Sequence, residues 1–228
     1  QYIPRFVSRA QAVGISSLVL FVLDDEAAVA CERALGADRC VRGTPSILNK
    51  FTLPLLYLHL GVDVFWLDFD VFLFQDPTPF ALLRADETGA ELMVSGSFAD
   101  DCICSGIVFF KSTPATRTWL SDLLSWFYEH TYAHDQQAFS AFLADRPDVD
   151  NATGPERISG GTLFKKYMGL QPPQWALLDP VTQFVTARVL NTTGWAGRAE
   201  DVVAFHILHG DSEINRNHDA HGWNARHG

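Results

Sequence analysis

The order of apolar runs predicts an α/β domain built on a mixed, mainly parallel sheet with helices on both faces. Three observations carry that prediction. Strand-length apolar runs alternate with helical segments over the first two thirds of the 228 residues. The first of them, "SLVLFVL", is a continuous run of buried-strand length, as a strand covered on both sides requires. Gly36, Gly61 and the "QDPTPF" segment punctuate the joins.

The elements follow in order. Residues 1–13 read as a helix with Phe6, Ala10 and Val13 on one face, and "SLVLFVL" (17–23) as a buried strand. "DDEAAVACERALG" has acids in its first turn and Gly36 at its end, which gives a helix with both terminal signals. A short "RCVR" strand leads to a helix over about 47–60, closed by Gly61; Pro54 inside it predicts a late start or a kink. "VDVFWLDFDVFLF" reads as the second central strand. A short helix, the strands "ELMVS" and "SGIVFFK", and helices over 114–130 and 134–145 come next, with Trp119, Leu123, Trp126 and Phe127 on one face of the first. Residues 147–174 are richer in Pro, Gly and polar residues and read as loops, and short strands near 175–178 and 202–206 close the pattern. The domain is expected to span 1–210, leaving 211–228 as a polar tail whose His218, His221 and His227 do not form a metal site.

Charge and cysteine content narrow the function. With 17 basic against 27 acidic residues the net charge is −10, so nothing favours electrostatic binding of nucleic acid or anionic lipid. An acidic chain that handles an anionic substrate needs a local cation. No apolar run approaches ~18–20 residues, so membrane anchoring is expected only through segments outside this chain. Cys31 and Cys40 flank "ERALGADR", a spacing that suits a bridge between a helix end and the next strand, although the spacing leaves open whether it forms. Cys102 and Cys104 are too close to bridge each other comfortably and lack zinc spacing. Sequons at Asn151 and Asn191, taken with a Cys31–Cys40 bridge, favour the secretory pathway.

The chemistry centres on Asp68 and Asp70, set among Phe65, Trp66, Leu67, Phe69 and the run from Val71 to Phe74. In a strand, residues i and i+2 point to one side, and in open α/β sheets ligands gather outside the carboxyl ends of strands. Two such carboxylates repel unless a cation neutralises them, and a hard divalent ion shared with substrate phosphates does so. The plain alternative is a solvated acid pair capping a turn. A phosphohydrolase of the haloacid-dehalogenase type also uses Asp-x-Asp, but Phe72 stands where Thr or Val is usual. Its later lysine and acid pair are found as Lys111 and Asp100-Asp101 only in the wrong order.

The wider text "NKFTLPLLYLHLGVDVFWLDFDVFLFQDPTPF" resembles the nucleotide-diphospho-sugar transferase domain of glycosyltransferase family 77, the plant and algal arabinosyl-, xylosyl- and galactosyltransferase group. "CSGIVFFKSTP", "HDQQAFSAFL" and "VVAFH" are similar to three further motifs in the same order. The resemblance implies a GT-A-type, Rossmann-like fold and a metal-dependent, retaining transfer from a nucleoside diphosphate sugar, with uridine as the expected base, to a glycan or glycoprotein in the Golgi lumen. The chain would be the luminal domain of a type II membrane protein, with the first strand upstream of residue 1. A catalytically inactive nucleotide-sugar-binding domain is the alternative.

By the same resemblance Asp68, Asp70 and His206 would hold Mn²⁺ or Mg²⁺, with His209 as the fallback for the histidine. Lys50, Asp68, Ser105 and Gly106 would face the donor, and Asp135 and Gln136 the reacting sugar and acceptor. Each has a simpler reading: a solvated Lys50, a strand-packing Gly106, an N-cap at Asp135 and a structural hydrogen bond at His206. Cys104 replaces an asparagine of the family pattern, and Arg216 is the nearest stand-in for its late lysine.

Overall fold

The computed structural model describes residues 2–44, 46, 48–97, 102–129, 135–144, 172–186, 195 and 197–207. His209, Arg216, both sequons, Asp100, Asp101 and the expected tail lie outside them.

Helix α1 (Tyr2–Ala12) leads to strand β1 (Leu20–Val22), helix α2 (Asp25–Leu35), β2 (Cys40–Arg42) and α3 (Asn49–His59). The Asp24 side chain accepts from the Ala27 amide, and Gly36 ends α2 at φ +91°, a conformation that favours glycine. β1 and β2 pair in parallel, and the Cys31–Cys40 disulfide ties α2 to β2. α3 runs through Pro54, which is buried inside it.

β3 (Val64–Leu67), β6 (Cys102–Phe110), β5 (Leu92–Ser97) and β7 (Trp175–Leu177) form a four-stranded sheet in that spatial order. β4 (Val71–Leu73), β9 (Ala204–His206) and β8 (Phe184–Thr186) form a three-stranded one. β6 is antiparallel to both its neighbours and β4 is antiparallel to β9; the parallel pairs are β1–β2, β5–β7 and β8–β9. The sheet is mixed, as expected, but it is not mainly parallel: three of the six strand pairs among the described residues are antiparallel. Only residues 98–101 separate β5 from β6, and a parallel return needs a crossover of a dozen residues or more. β8, which has no strong periodic signal in so short a run, was not anticipated.

Helices on both faces are borne out. Leu92, Val94, Val108 and Phe110 pack on one side against Phe51 and Leu58 of α3, Trp119, Leu123, Trp126 and Phe127 of α5 (Pro114–Glu129), and Phe139 of α6 (Asp135–Ala144). Their strand neighbours Met93, Ile107 and Phe109 pack on the other side with Ala10 of α1 and with Ala81 and Ala85 of α4 (Thr78–Thr88). The period of two along β5 and β6 divides the core in this way. The same two strands carry polar residues at their other ends, where the site lies.

Candidate active site

"VDVFWLDFDVFLF" is two strands rather than one. The Asp68 amide extends β3 by one step, donating to the Gly106 carbonyl at 2.9 Å, and the Val71 amide then closes a turn onto the Asp68 carbonyl at 3.1 Å. Aspartate is a poor strand former, and the turn carries Phe69 and Asp70 before β4 begins. The acids thus share a side because of a turn, not because of the pleat. The pleat accounts for another neighbour: Trp66, two residues before Asp68, donates from Nε1 to Asp68 Oδ1 at 2.8 Å. Phe69 is 42 % exposed, with its ring edge-on to Phe6 at 5.4 Å.

β9 supplies the histidine. His206 pairs with Val71 across β4–β9, and the Ile207 amide donates to the Asp70 carbonyl at 3.0 Å. The imidazole is 4 % exposed, with Nε2 3.2 Å from Asp70 Oδ1 and Nδ1 3.3 Å from Cys104 Sγ. Burial alone would push this imidazole down; hydrogen bonds and electrostatic attraction to Asp70 and Cys104 outweigh it and push it up to about 10. In the metal-free protein His206 is an imidazolium at neutral pH.

β6 makes room for these groups. Val94 pairs with Val108 and the next residue, Ser95, with Cys104. Ser105, Gly106 and Ile107 therefore have no counterpart on β5, and this bulge re-aims the strand at the site. A Cβ on Gly106 would lie 2.2 Å from His206 Cε1, 2.9 Å from Nε2 and 3.0 Å from Asp68 Oδ2. A side chain there is sterically excluded by the site itself. Gly106→Ala is expected to displace His206, weaken divalent-ion binding and cost about 1–3 kcal/mol of stability from overpacking; ion titration and thermal unfolding would measure the two effects.

α6 fastens the bulge. The Gln136 Oε1 accepts from the Ser105 amide at 2.8 Å and from Ser105 Oγ at 2.9 Å, and Nε2 donates to the Ile103 carbonyl. The preceding residue, Asp135, projects to Lys50, whose Nζ is 3.2 Å from Asp135 Oδ2, 2.9 Å from Asp68 Oδ2 and 3.4 Å from Ser105 Oγ. Lys50 comes from the first turn of α3 and its side chain is 12 % exposed, so it is not a solvated surface lysine. Burial would lower its pKa, but the charges and hydrogen bonds of Asp68 and Asp135 leave it above the ordinary value, so it is a permanent cation between two elements.

All eight residues expected at the site, Lys50, Asp68, Asp70, Ser105, Gly106, Asp135, Gln136 and His206, therefore converge. Asp68, Asp70 and His206 offer one ligand atom each within 4.8 Å of one another. This is a fitting donor set for a divalent ion: two carboxylates satisfy a hard cation, and the imidazole suits Mn²⁺ better than Mg²⁺. The free edge over Gly106 keeps the space between them clear. Trp66 and Cys104 are the partners that sequence reasoning did not assign; Trp66 was accessible from the period of two, whereas the Cys104 contact spans 102 residues. Lys111 lies at the far end of β6 from the acids, away from where a phosphohydrolase would need it.

A mixed α/β fold that gathers two aspartates and a histidine at its strand ends, with a buried lysine beside them, defines an α/β protein with a metal-ready acidic site. The family model described as nucleotide-diphospho-sugar transferase matches residues 47–214, which include every one of those side chains; the chain belongs to that family and is a glycosyltransferase. Such a domain uses a nucleotide-sugar donor and an acceptor. Comparison with curated proteins finds no match.

Proposed function

We propose that this chain is a metal-dependent, retaining glycosyltransferase of the family 77 type, transferring a pentose or hexose from a uridine diphosphate sugar to a glycan or glycoprotein in the Golgi lumen. The observation that carries the reading is the Asp68, Asp70 and His206 cluster inside the matched family region. Asp68, Asp70 and His206 Nε2 would hold Mn²⁺, and an ion bound there supplies positive charge to the donor's diphosphate and to the leaving nucleotide.

The chain's own residues do the rest. Lys50 holds Asp68 in place through a charged hydrogen bond and keeps a cation beside the donor site. The bulge at Ser105 and Gly106 presents backbone, rather than side chain, to the sugar. Gln136 spends its amide on that bulge and acts by positioning it. Asp135, paired with Lys50, faces the sugar and acceptor. The acidic field of the chain is offset locally by Lys50 and the ion, as a doubly phosphorylated donor requires.

The Cys31–Cys40 disulfide supports an oxidising lumen. A strand upstream of α1 would complete the sheet: among the described residues β1 pairs only with β2 and β3 only with β6, and a two-stranded parallel sheet is a poor unit by itself.

Nucleoside diphosphate release from a panel of nucleotide sugars, with and without Mn²⁺, tests the reading. Metal-stimulated release from one donor is expected. Metal-dependent binding of uridine diphosphate with no turnover of any donor would leave only the inactive binding domain.

The histidine adds a pH dependence. Its folded-state value, about 10, lies above the ordinary 6.5, so its proton stabilises the metal-free fold fully below the unfolded value and is lost as pH rises through about 10. An ion must displace that proton. Mn²⁺ affinity is therefore expected to rise about tenfold per pH unit across the neutral range, with one proton released per ion in calorimetry.

A further inference from the structure

Cys104 stands at a position where the family pattern carries an asparagine, and nothing in the sugar-transfer reading uses it. Its side chain is 6 % exposed and is a free thiol. Its sulfur touches His206 Nδ1 at 3.3 Å, inside the protein. Resting on the metal-centre reading above, we propose that Cys104 is a positioning residue: its sulfur accepts the Nδ1 proton of His206 and so aims Nε2, as the lone-pair nitrogen, at the ion held with Asp68 and Asp70.

A neutral imidazole has one N–H and one lone pair. Nε2 is the nitrogen on the Asp70 side, 3.2 Å from a carboxylate oxygen, so it is the nitrogen that an ion shared with Asp70 would take. The remaining proton then sits on Nδ1, inside the protein, where an unpartnered buried donor costs the full desolvation penalty. Cys104 Sγ is the group in place to receive it, a weak acceptor but a directional one.

Two features keep the ring from escaping this choice. The Gly106 backbone lies against the ring edge, so close that a Cβ would meet Cε1 at 2.2 Å. The pairing of His206 with Val71 on one side and with Thr186 on the other fixes its main chain. Rotation about the side-chain bonds is what remains, and the Cys104 contact settles it. The cysteine reaches this place because the β6 bulge begins directly after it: Cys104 is still paired with Ser95 on β5, while Ser105 and Gly106 are already displaced toward the acids. Groups that orient a metal-bound histidine in this way typically carry 10–100-fold of the metal's affinity.

Three variants test the assignment in the intact protein: Cys104→Val, which keeps apolar volume and removes the acceptor, and Cys104→Ser and Cys104→Asn, which offer an oxygen acceptor. Mn²⁺ binding is followed by calorimetry, and the protonation state of each ring nitrogen by ¹⁵N chemical shifts of His206 with diamagnetic Mg²⁺ or Zn²⁺ bound. Cys104→Val is expected to weaken Mn²⁺ binding about 10–100-fold, with mixed tautomers, at unchanged circular dichroism. At least one oxygen variant should recover most of the affinity together with the Nδ1–H form. Wild-type Mn²⁺ affinity in Cys104→Val, or a proton on Nε2 in the metal-bound wild type, would overturn the proposal and leave the metal reading intact. No Mn²⁺ binding by the wild type at all would overturn both. If Cys104→Val fails to fold, the comparison of wild type with Cys104→Ser and Cys104→Asn decides: tight binding with the proton on Nε2 in any of them refutes the role.

Discussion

Asp70→Asn is expected to cut metal-dependent donor cleavage by on the order of 10²–10³-fold while leaving the fold in place. Asp70 is bound to the fold through its backbone, since its carbonyl accepts from the Ile207 amide, and that bond survives the substitution. Its side chain makes the 3.2 Å contact to His206 Nε2 and completes the three-ligand cluster. Replacing a charged oxygen ligand by an amide removes both charge and basicity. If the ion contributes several kcal/mol to the departure of the nucleotide, the loss in turnover is on the order of 10²–10³-fold. His206 loses one of the two partners that raise its pKa, so the variant should also release less than one proton per ion bound near neutral pH. Donor-cleavage rates at saturating Mn²⁺, with circular dichroism as the control, check both parts. Full activity in this variant would remove Asp70 from the ligand set.

Lys50→Met is expected to destabilise the metal-free protein by roughly 2–4 kcal/mol, toward the lower side of what breaking a buried ion pair costs. The reduction reflects partial exposure: the Asp68 side chain is 26 % exposed and the Asp135 side chain 12 %. Methionine keeps the length of the side chain and its packing from α3, so the effect isolates the charge. Two carboxylates then face each other across the space the ammonium occupied. Mn²⁺ should restore part of the lost stability by neutralising Asp68, but not the part that belongs to Asp135. Urea unfolding with and without the ion separates these contributions. A variant as stable as the wild type in metal-free buffer would mean that Lys50 is not the strut between α3, β3 and α6.

Much of this was legible from the sequence. The buried faces of α1 and α5, the caps of α2 at Asp24 and Gly36, and the ordered motifs around Lys50, Asp68, Ser105, Asp135 and His206 all follow from local patterns. Strand direction did not. The alternation of apolar and amphipathic runs suggests parallel strands, but it says so only where there is length for a helix between them, and only residues 98–101 separate β5 from β6. Nor did the break at Asp68: a continuous apolar run masks a turn whose cause is two residues that resist a ladder. Lys50 could not be distinguished from a surface lysine, because its two partners lie 18 and 85 residues away. Cys104 and His206 meet only because β6 begins where β9 ends.

The most direct test of the account is a crystal structure of the protein with Mn²⁺ and uridine diphosphate, with the ion located by its anomalous scattering. The account predicts one anomalous peak within bonding distance of Asp70 and of His206 Nε2, with Asp68 joined directly or through a water and the diphosphate on the open side. A peak elsewhere, or a bound diphosphate with Lys50 alone facing its phosphates and no ion beside Asp70, would contradict it.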